Sequence, residues 1–138
     1  MCIDCGCRLT NARNIRCHRC KTLFTLSVFE QRTLENAVSR GNARVKYSSV
    51  RKNAIKKMSV SDTSKRCKLC GFDVVVEVHH IKPISSFSDS ALISEVNSLE
   101  NLVYLCPNHH AMAERGLVDA GALTGKLNPD FLIESQAN

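Results

Sequence analysis

A helical spacing of apolar residues marks the middle of the chain. The stretch 24–60 is polar, rich in basic residues and free of proline. Leu34, Ala37 and Val45 recur within it at offsets close to whole helical turns, which predicts helix. The stretch has a single glycine, Gly41. A helix that continues through Gly41 and two helices that break there fit the sequence equally well.

Two short apolar runs in the second half of the chain predict β-strands. Residues 74–78 are almost all valine and lie between Gly71 and Pro83, as is typical of a strand bounded by turn residues. Residues 102–105 form the second run. We therefore expect a small sheet in this half.

A helix should follow the second strand directly. Pro107 suits the first turn of a helix, where its missing N–H is not needed. Gly116 suits the position just beyond a helix end, so the predicted helix runs to about Arg115.

The charge is distributed unevenly along the 138 residues. The net charge is +6, but residues 1–29 carry +4, residues 30–66 carry +7 and residues 67–138 carry −5. This pattern predicts a polyanionic partner that binds mainly to the first half. If one helix runs through Gly41, then Arg40, Arg44 and Arg51 share a face, and with Lys52 they are our candidates for contacts to nucleic acid.

The composition bears on the compartment. No apolar run reaches the 18 residues that a membrane span needs, and no apolar secretory segment is visible at the N-terminus. We therefore expect a cytoplasmic protein with no membrane partner. The eight cysteines would stay reduced there, which favours metal binding over disulfides.

Two Cys-x-x-Cys pairs near the N-terminus predict a structural zinc site. Cys2 and Cys5 are followed, after eleven residues, by Cys17 and Cys20. Each pair presents two thiolates, and four thiolates complete a tetrahedron around Zn²⁺. Cys7 could replace Cys5, although the two-residue spacing is commoner.

A second set of four ligands lies in the second half. Cys67 and Cys70 form one pair, and Cys106 with His109 forms the other. Imidazole binds zinc at nearly the same distance as other zinc ligands, so this set predicts a second structural zinc ion.

Between and beside these pairs, the chain resembles the HNH nuclease family. The matching motifs are Cys67-Lys-Leu-Cys70-Gly71, Val78-His79-His80-Ile81-Lys82-Pro83, Asn101-Leu102-Val103-Tyr104-Leu105-Cys106 and Pro107-Asn108-His109-His110. The resemblance covers about residues 66–118 and is specific, because order, spacing and flanking zinc pairs agree. It implies a ββα-metal fold, hydrolysis of phosphodiester bonds with Mg²⁺ or another divalent cation, and a phage, mobile-element or restriction setting.

The resemblance also implies roles for individual residues. His80 corresponds to the general base, and a histidine is suited to that task near neutral pH. His79 and His110 correspond to ligands of the catalytic cation. Asn101 corresponds to an asparagine that braces the loop and orients the base.

The sequence leaves two features of this site open. Adjacent side chains of a strand point to opposite faces, so His79 and His80 reach one site only if the strand ends or bulges there. Glu114 lies one helical turn after His110 and is either a further ligand or a glutamate facing solvent.

The expected fold is a small, zinc-stabilised α+β protein. We expect an N-terminal zinc-ribbon-like knuckle at 1–23, a basic helical DNA-binding linker at 24–64, an HNH ββα-metal, treble-clef-like module at 65–120 and a tail at 121–138.

The expected function is that of a metal-dependent endonuclease acting on double-stranded DNA. An alternative is a non-catalytic, zinc-stabilised DNA-binding or regulatory protein that keeps the HNH fold, although such a protein would not need His80, Asn101 and His110 together. A third is a zinc-ribbon module that recruits another phage or replication protein, which would leave the histidines unexplained. A homodimer, or a phage protein as partner in a bacterial host cytosol, is compatible with the resemblance.

Overall fold

The computed structural model describes residues 1–124, so most of the predicted tail at 121–138 lies outside the described residues. The helices and strands follow one another in this order: α1 (His18–Glu30), α2 (Leu34–Ala37), α3 (Ala43–Lys46), α4 (Ser48–Val60), β1 (Glu77–His80), α5 (Ile93–Val96), β2 (Leu102–Leu105), α6 (Pro107–Glu114) and α7 (Ala120–Thr124). Two short 3₁₀ turns lie at Ile84–Ser86 and Leu99–Asn101. The described part is therefore a small α+β protein, as the sequence predicts.

The two strands form an antiparallel pair. Glu77 lies opposite Leu105, and His80 lies opposite Leu102. The prediction of a strand at 74–78 is wrong at its N-terminal side, because β1 begins only at Glu77. Since β2 has four residues, it offers no partner to Val74 and Val75, and these two side chains are exposed.

Helix α6 follows β2 as predicted. It begins at Pro107, ends at Glu114, and is followed by Gly116 with a φ of +70°. A side chain at that left-handed position would be strained, so glycine suits the helix end.

The stretch 24–60 contains the end of α1 and three further helices, α2, α3 and α4, rather than the one or two helices that the sequence allows. Helices α2 and α3 are separated at Gly41, whose φ of +138° does not fit a helix. Of the two alternatives that the sequence leaves open, the break is observed. Helix α1 was not expected to begin as early as His18, within the cysteine-rich segment.

The core lies on both faces of the hairpin, because successive strand residues point to opposite sides. One face packs against α4 and contains Ala54, Met58, Leu102 and Tyr104. The other contains Val103, Leu105, Cys67, Cys106 and Leu123. A third group joins Val50 of α4 to Ile84, Ile93 and Val96, together with Leu34 and Ala37.

Helix α4 is thus part of the core. Its residues Val50 and Ala54 are fully buried, with partners that come from beyond residue 80. On its other side, Lys57 pairs with Glu30 of α1 at 2.7 Å. The expected boundary between 24–64 and 65–120 is therefore crossed by the hydrophobic core. Among residues 1–124, no helix combines the length and apolar character needed to cross a bilayer.

Candidate active site and metal centres

The N-terminal cysteines converge on one point. The sulfur atoms of Cys2, Cys5, Cys17 and Cys20 all lie within 4.8 Å of one another, which we call the first cluster. Cys7 is not a member, so the geometry favours the two-residue spacing. Gly6 follows the first pair with a φ of +71°, and Cys17 caps the N-terminus of α1. The first pair thus lies in a tight turn, and the second pair opens a helix.

Backbone amides point at the sulfur atoms of this cluster. The amide of Cys17 donates to Sγ of Cys2 at 3.3 Å, and the amide of Cys20 donates to Sγ of Cys17 at 3.5 Å. The bond from Cys17 is the largest cause that lowers the pKa of Cys2 to about 6. Because the thiolate is the form that binds a metal, this donor set fits zinc.

The second cluster consists of Cys67, Cys70, Cys106 and His109, whose ligand atoms also lie within 4.8 Å of one another. Nδ1 of His109 lies 3.4 Å from Sγ of Cys67 and 3.2 Å from Sγ of Cys106. Burial raises the pKa of Cys67, but amide hydrogen bonds from Cys106, Cys70 and Leu69 outweigh it and lower the pKa to about 7. Three sulfurs and one imidazole nitrogen again fit zinc.

A third group of polar side chains lies on the α6 side of the hairpin. The rings of His79 and His110 meet edge to face with centroids 5.2 Å apart. Glu77 accepts from Nδ1 of His110, and Oε1 of Glu114 lies 3.4 Å from its Nε2. Within the part of the chain that the structure describes, this group is looser than the two clusters, which alone bring three or more ligand atoms within 4.8 Å.

Glu77 was missed by the sequence analysis. It precedes His79 by two residues on β1, so both side chains share a face of the strand. That alternation was the signal that could have identified it. Burial lowers the pKa of His79, and the neighbouring His110 lowers it further. A neutral imidazole is the form that binds a cation.

His80 points to the opposite face of the hairpin. The strand ends at His80, which is still paired with Leu102, and no bulge precedes it. Its Nε2 lies 2.7 Å from Oδ1 of Asn97. Burial lowers the pKa of His80, the bond to Asn97 raises it, and Arg51 lowers it again. The net direction is downward, which favours the neutral ring.

Asn101 braces the loop that follows β1. Its Oδ1 accepts from the amide of Lys82 at 2.7 Å, and its Nδ2 donates to the carbonyls of Lys82 at 3.2 Å and Val96 at 2.8 Å. The bracing role fits these contacts. The expected hydrogen bond that orients His80 is made by Asn97 instead, because Asn101 is engaged by the backbone.

One cavity brings the two sides of the hairpin together. It has a volume of about 910 Å³, and His79, His80 and His110 line it with Glu77 and Glu114. Its opposite wall is a stripe along α4 and the residue before it, spaced one turn apart: Tyr47, Arg51, Ile55 and Ser59. Residues on opposite faces of β1 therefore border the same space.

The candidate DNA-binding residues do not form one stripe. Arg51 lines the cavity, and its Nη1 donates to the carbonyl of Arg44 at 3.1 Å. Lys52 is exposed on α4 and Arg44 on α3, whereas Arg40 is exposed in the segment beside Gly41. The shared face depended on a helix that continues through Gly41, and this condition is not met, because the chain breaks there.

A family model described as HNH endonuclease matches residues 67–118. No curated protein and no solved structure matches the chain. The matched segment contains both strands, α6, the second cluster and the three histidines that line the cavity. This family supports a nuclease-type function on nucleic acid and the use of a divalent metal. Residues 67–118 of the chain are therefore similar to the HNH endonuclease family.

Proposed function

We propose that the protein is a metal-dependent DNA endonuclease that hydrolyses phosphodiester bonds at the cavity between α4 and the hairpin. The observation that carries this proposal is the meeting of His79, His80 and His110 at one cavity within the matched segment. Glutamate side chains lie near His79 and His110. His80 lies on the other face of β1, where it is hydrogen-bonded to Asn97. This arrangement suits a cation bound by His79 and His110 and a proton accepted by His80.

His80 is the proposed general base. Its pKa is lowered chiefly by burial, so the ring is neutral at about pH 7 and can accept a proton from the attacking water. Asn101 holds the following loop through the backbone of Lys82. The cleavage rate should fall as the pH drops below the ordinary histidine range, because the protonated ring no longer accepts a proton.

His79 and His110 are the proposed ligands of the catalytic cation. A bound divalent cation such as Mg²⁺ would neutralise the charge that develops on the scissile phosphate and the leaving oxygen. Glu77 and Glu114 both contact His110, and their carboxylates are ligands that hard cations prefer. We propose both as candidates for completing the site.

The remaining parts of the chain have supporting roles in this proposal. The first and second clusters hold one structural Zn²⁺ each. Arg51 borders the cavity and contacts phosphate, with Arg40, Arg44 and Lys52 as further contacts to duplex DNA. The segments 1–23, 24–64 and 65–120 supply the zinc knuckle, the basic helical part and the nuclease module, and the last two share one hydrophobic core through α4.

The central test is cleavage of plasmid and long duplex DNA by the purified chain with Mg²⁺, Mn²⁺, Ni²⁺ or EDTA. We expect cleavage that EDTA abolishes. His80→Ala should lower the rate by about 10²- to 10⁴-fold, the usual contribution of a general base. His110→Ala should be partly rescued by a higher cation concentration, whereas His80→Ala should not. His18→Ala is the matched control, because His18 is exposed at the start of α1 and away from the cavity.

A second measurement addresses binding. Arg51→Ala should weaken DNA binding and flatten the slope of log affinity against log salt by about 0.9 for each phosphate that the variant no longer neutralises. Lack of cleavage by the parent protein on every DNA tested, with salt-dependent binding retained, would contradict the nuclease proposal and favour the non-catalytic DNA-binding alternative.

A further inference from the structure

A fully buried asparagine stands between α4 and the candidate base. Asn97 follows α5 directly, and its side chain has no exposed surface. Its Nδ2 donates to the carbonyl of Val50 at 3.0 Å and to Oδ1 of Asn53 at 2.9 Å. Its Oδ1 lies 2.7 Å from Nε2 of His80. All three partners of the amide are thus protein groups.

These partners determine which way the amide faces. The carbonyl of Val50 can only accept a hydrogen bond, so the atom of Asn97 that faces it must be the NH₂ group. The amide oxygen must then face His80. Because that oxygen can only accept, Nε2 of His80 must carry the hydrogen. In a neutral ring, Nδ1 is then the nitrogen with the free lone pair.

Burial makes this arrangement stringent. With the hydrogen on Nδ1 instead, Nε2 of His80 and Oδ1 of Asn97 would face each other as two acceptors, and the asparagine side chain has no exposed surface. An unsatisfied buried acceptor is costly, so the network disfavours that tautomer. If the amide of Asn97 were flipped, its oxygen would face the carbonyl of Val50, and two acceptors would meet there instead.

We propose that Asn97 is a positioning residue that holds His80 in the Nε2–H tautomer and so reserves Nδ1 for the proton taken from water. The inference rests on the proposed function, since it deepens the role of His80 in that site. Val50 and Asn53 belong to α4, so this helix is connected to His80 by hydrogen bonds through Asn97. The basic segment thereby contributes to catalysis in addition to binding DNA.

The first test reads the tautomer directly and needs no activity. In the zinc-loaded protein labelled with ¹⁵N-histidine, long-range ¹H–¹⁵N spectra at about pH 8, well above the ordinary histidine pKa, report which nitrogen of His80 carries the hydrogen. We expect Nε2–H in the parent and a mixture in Asn97→Ala. Nδ1–H in the parent, or an unchanged tautomer in a folded Asn97→Ala, would overturn the inference.

Two further variants cover the case in which Asn97→Ala does not fold. Asn97→Asp keeps an acceptor toward His80 but loses the donors toward α4, so it should keep the Nε2–H tautomer even if stability falls. Asn53→Ala removes one of the two acceptors that orient the amide and should loosen the tautomer in a milder way. Asn36→Ala is the matched control, because Asn36 is an exposed asparagine on α2. Loss of the Nε2–H tautomer in Asn97→Asp would contradict the assignment.

The second test separates positioning from a purely structural role. Asn97→Ala should lower kcat by about 10- to 100-fold with little change in KM, a part of what a general base contributes. In the His80→Ala background the same substitution should have no further effect on the residual rate. An equal loss in both backgrounds would mean that Asn97 acts through the fold alone. Lack of cleavage by the parent would count against the proposed function. The tautomer of His80 in the parent and in Asn97→Ala would still show whether Asn97 positions this ring.

Discussion

The first and second clusters have the same backbone construction and different surroundings. In each, a Cys-x-x-Cys turn is followed by a glycine with φ near +70°, Gly6 or Gly71, whose amide donates to the carbonyl of the first cysteine at 2.9 Å. In each, the second pair opens a helix, α1 or α6. The second cluster contacts a buried apolar group that includes Leu105, whereas Ile3 and Ile15 beside the first are each 62% exposed.

The same ligand geometry therefore contributes to folding in two different ways. The second cluster adds to a hydrophobic core that already connects both strands and α6. Around the first, the neighbouring isoleucines are exposed, so metal ligation is the main link between the two halves, beside the ion pair of Asp4 with Arg16. We therefore expect the metal to determine folding locally at the first cluster and to consolidate a wider core at the second.

The largest effect should come from removing one ligand of each cluster. Cys70→Ser should abolish the folded hairpin, because Cys67 and Cys106 of the same cluster belong to its core. Cys5→Ser should disorder only the N-terminal loop, since Cys5 is exposed and α1 is also held by Glu30 and Lys57. Amide ¹H–¹⁵N spectra and zinc content measure both. Spectra of Cys5→Ser that collapse throughout the chain would contradict the comparison.

Apolar truncation should show the same asymmetry in stability. Leu105 is completely buried beside the second cluster, so Leu105→Ala should lower the free energy of unfolding by about 2–5 kcal/mol. Ile15→Ala should stay within about 0.5 kcal/mol, as is usual for an exposed site. Urea unfolding at fixed zinc concentration checks both. Similar losses in the two variants would show that the first cluster has a core of its own.

A smaller effect is expected from the knuckle glycine. In Gly6→Ala the added methyl group meets no atom within 4 Å, so the change should act through backbone strain alone, at about 1–2 kcal/mol for a left-handed residue. Because the first loop depends on its ligands, the strain should appear as faster loss of one zinc ion to a chelator. The global unfolding midpoint should hardly move. A shift of that midpoint without faster zinc release would contradict this expectation.

The smallest effects concern the ion pairs beside the two turns. Nε of Arg16 lies 2.8 Å from Oδ2 of Asp4, and this pair joins the two halves of the first cluster. Nη2 of Arg66 lies 3.9 Å from Oδ2 of Asp73, and this pair is more exposed. Asp4→Asn should cost about 0.2–1 kcal/mol at low salt. Asp73→Asn serves as the control and should cost less. Chelator competition at low and high salt would reveal the difference, and equal sensitivity would remove this distinction between the clusters.

The sequence predicted the features that depend on local spacing. Both clusters, β2 and α6 follow from the positions of cysteine, histidine, proline and glycine along the chain. The start of β1 was misplaced because a valine run indicates strand preference but not the length of its partner. Asn97 was missed for a related reason. Its partners Val50 and Asn53 lie more than forty positions away, and no periodicity links residues so far apart.

The place of α4 in the core has a consequence for how the chain is made. Synthesis proceeds from the N-terminus, so Val50, Ala54 and Met58 emerge before the strand residues Leu102 and Tyr104 that cover Ala54 and Met58. At about 5–20 residues per second, that interval lasts several seconds. During it the apolar side of α4 has no partner from the hairpin, and the cavity has only one wall. A nascent chain therefore cannot present the assembled histidines until nearly the whole described sequence has been translated.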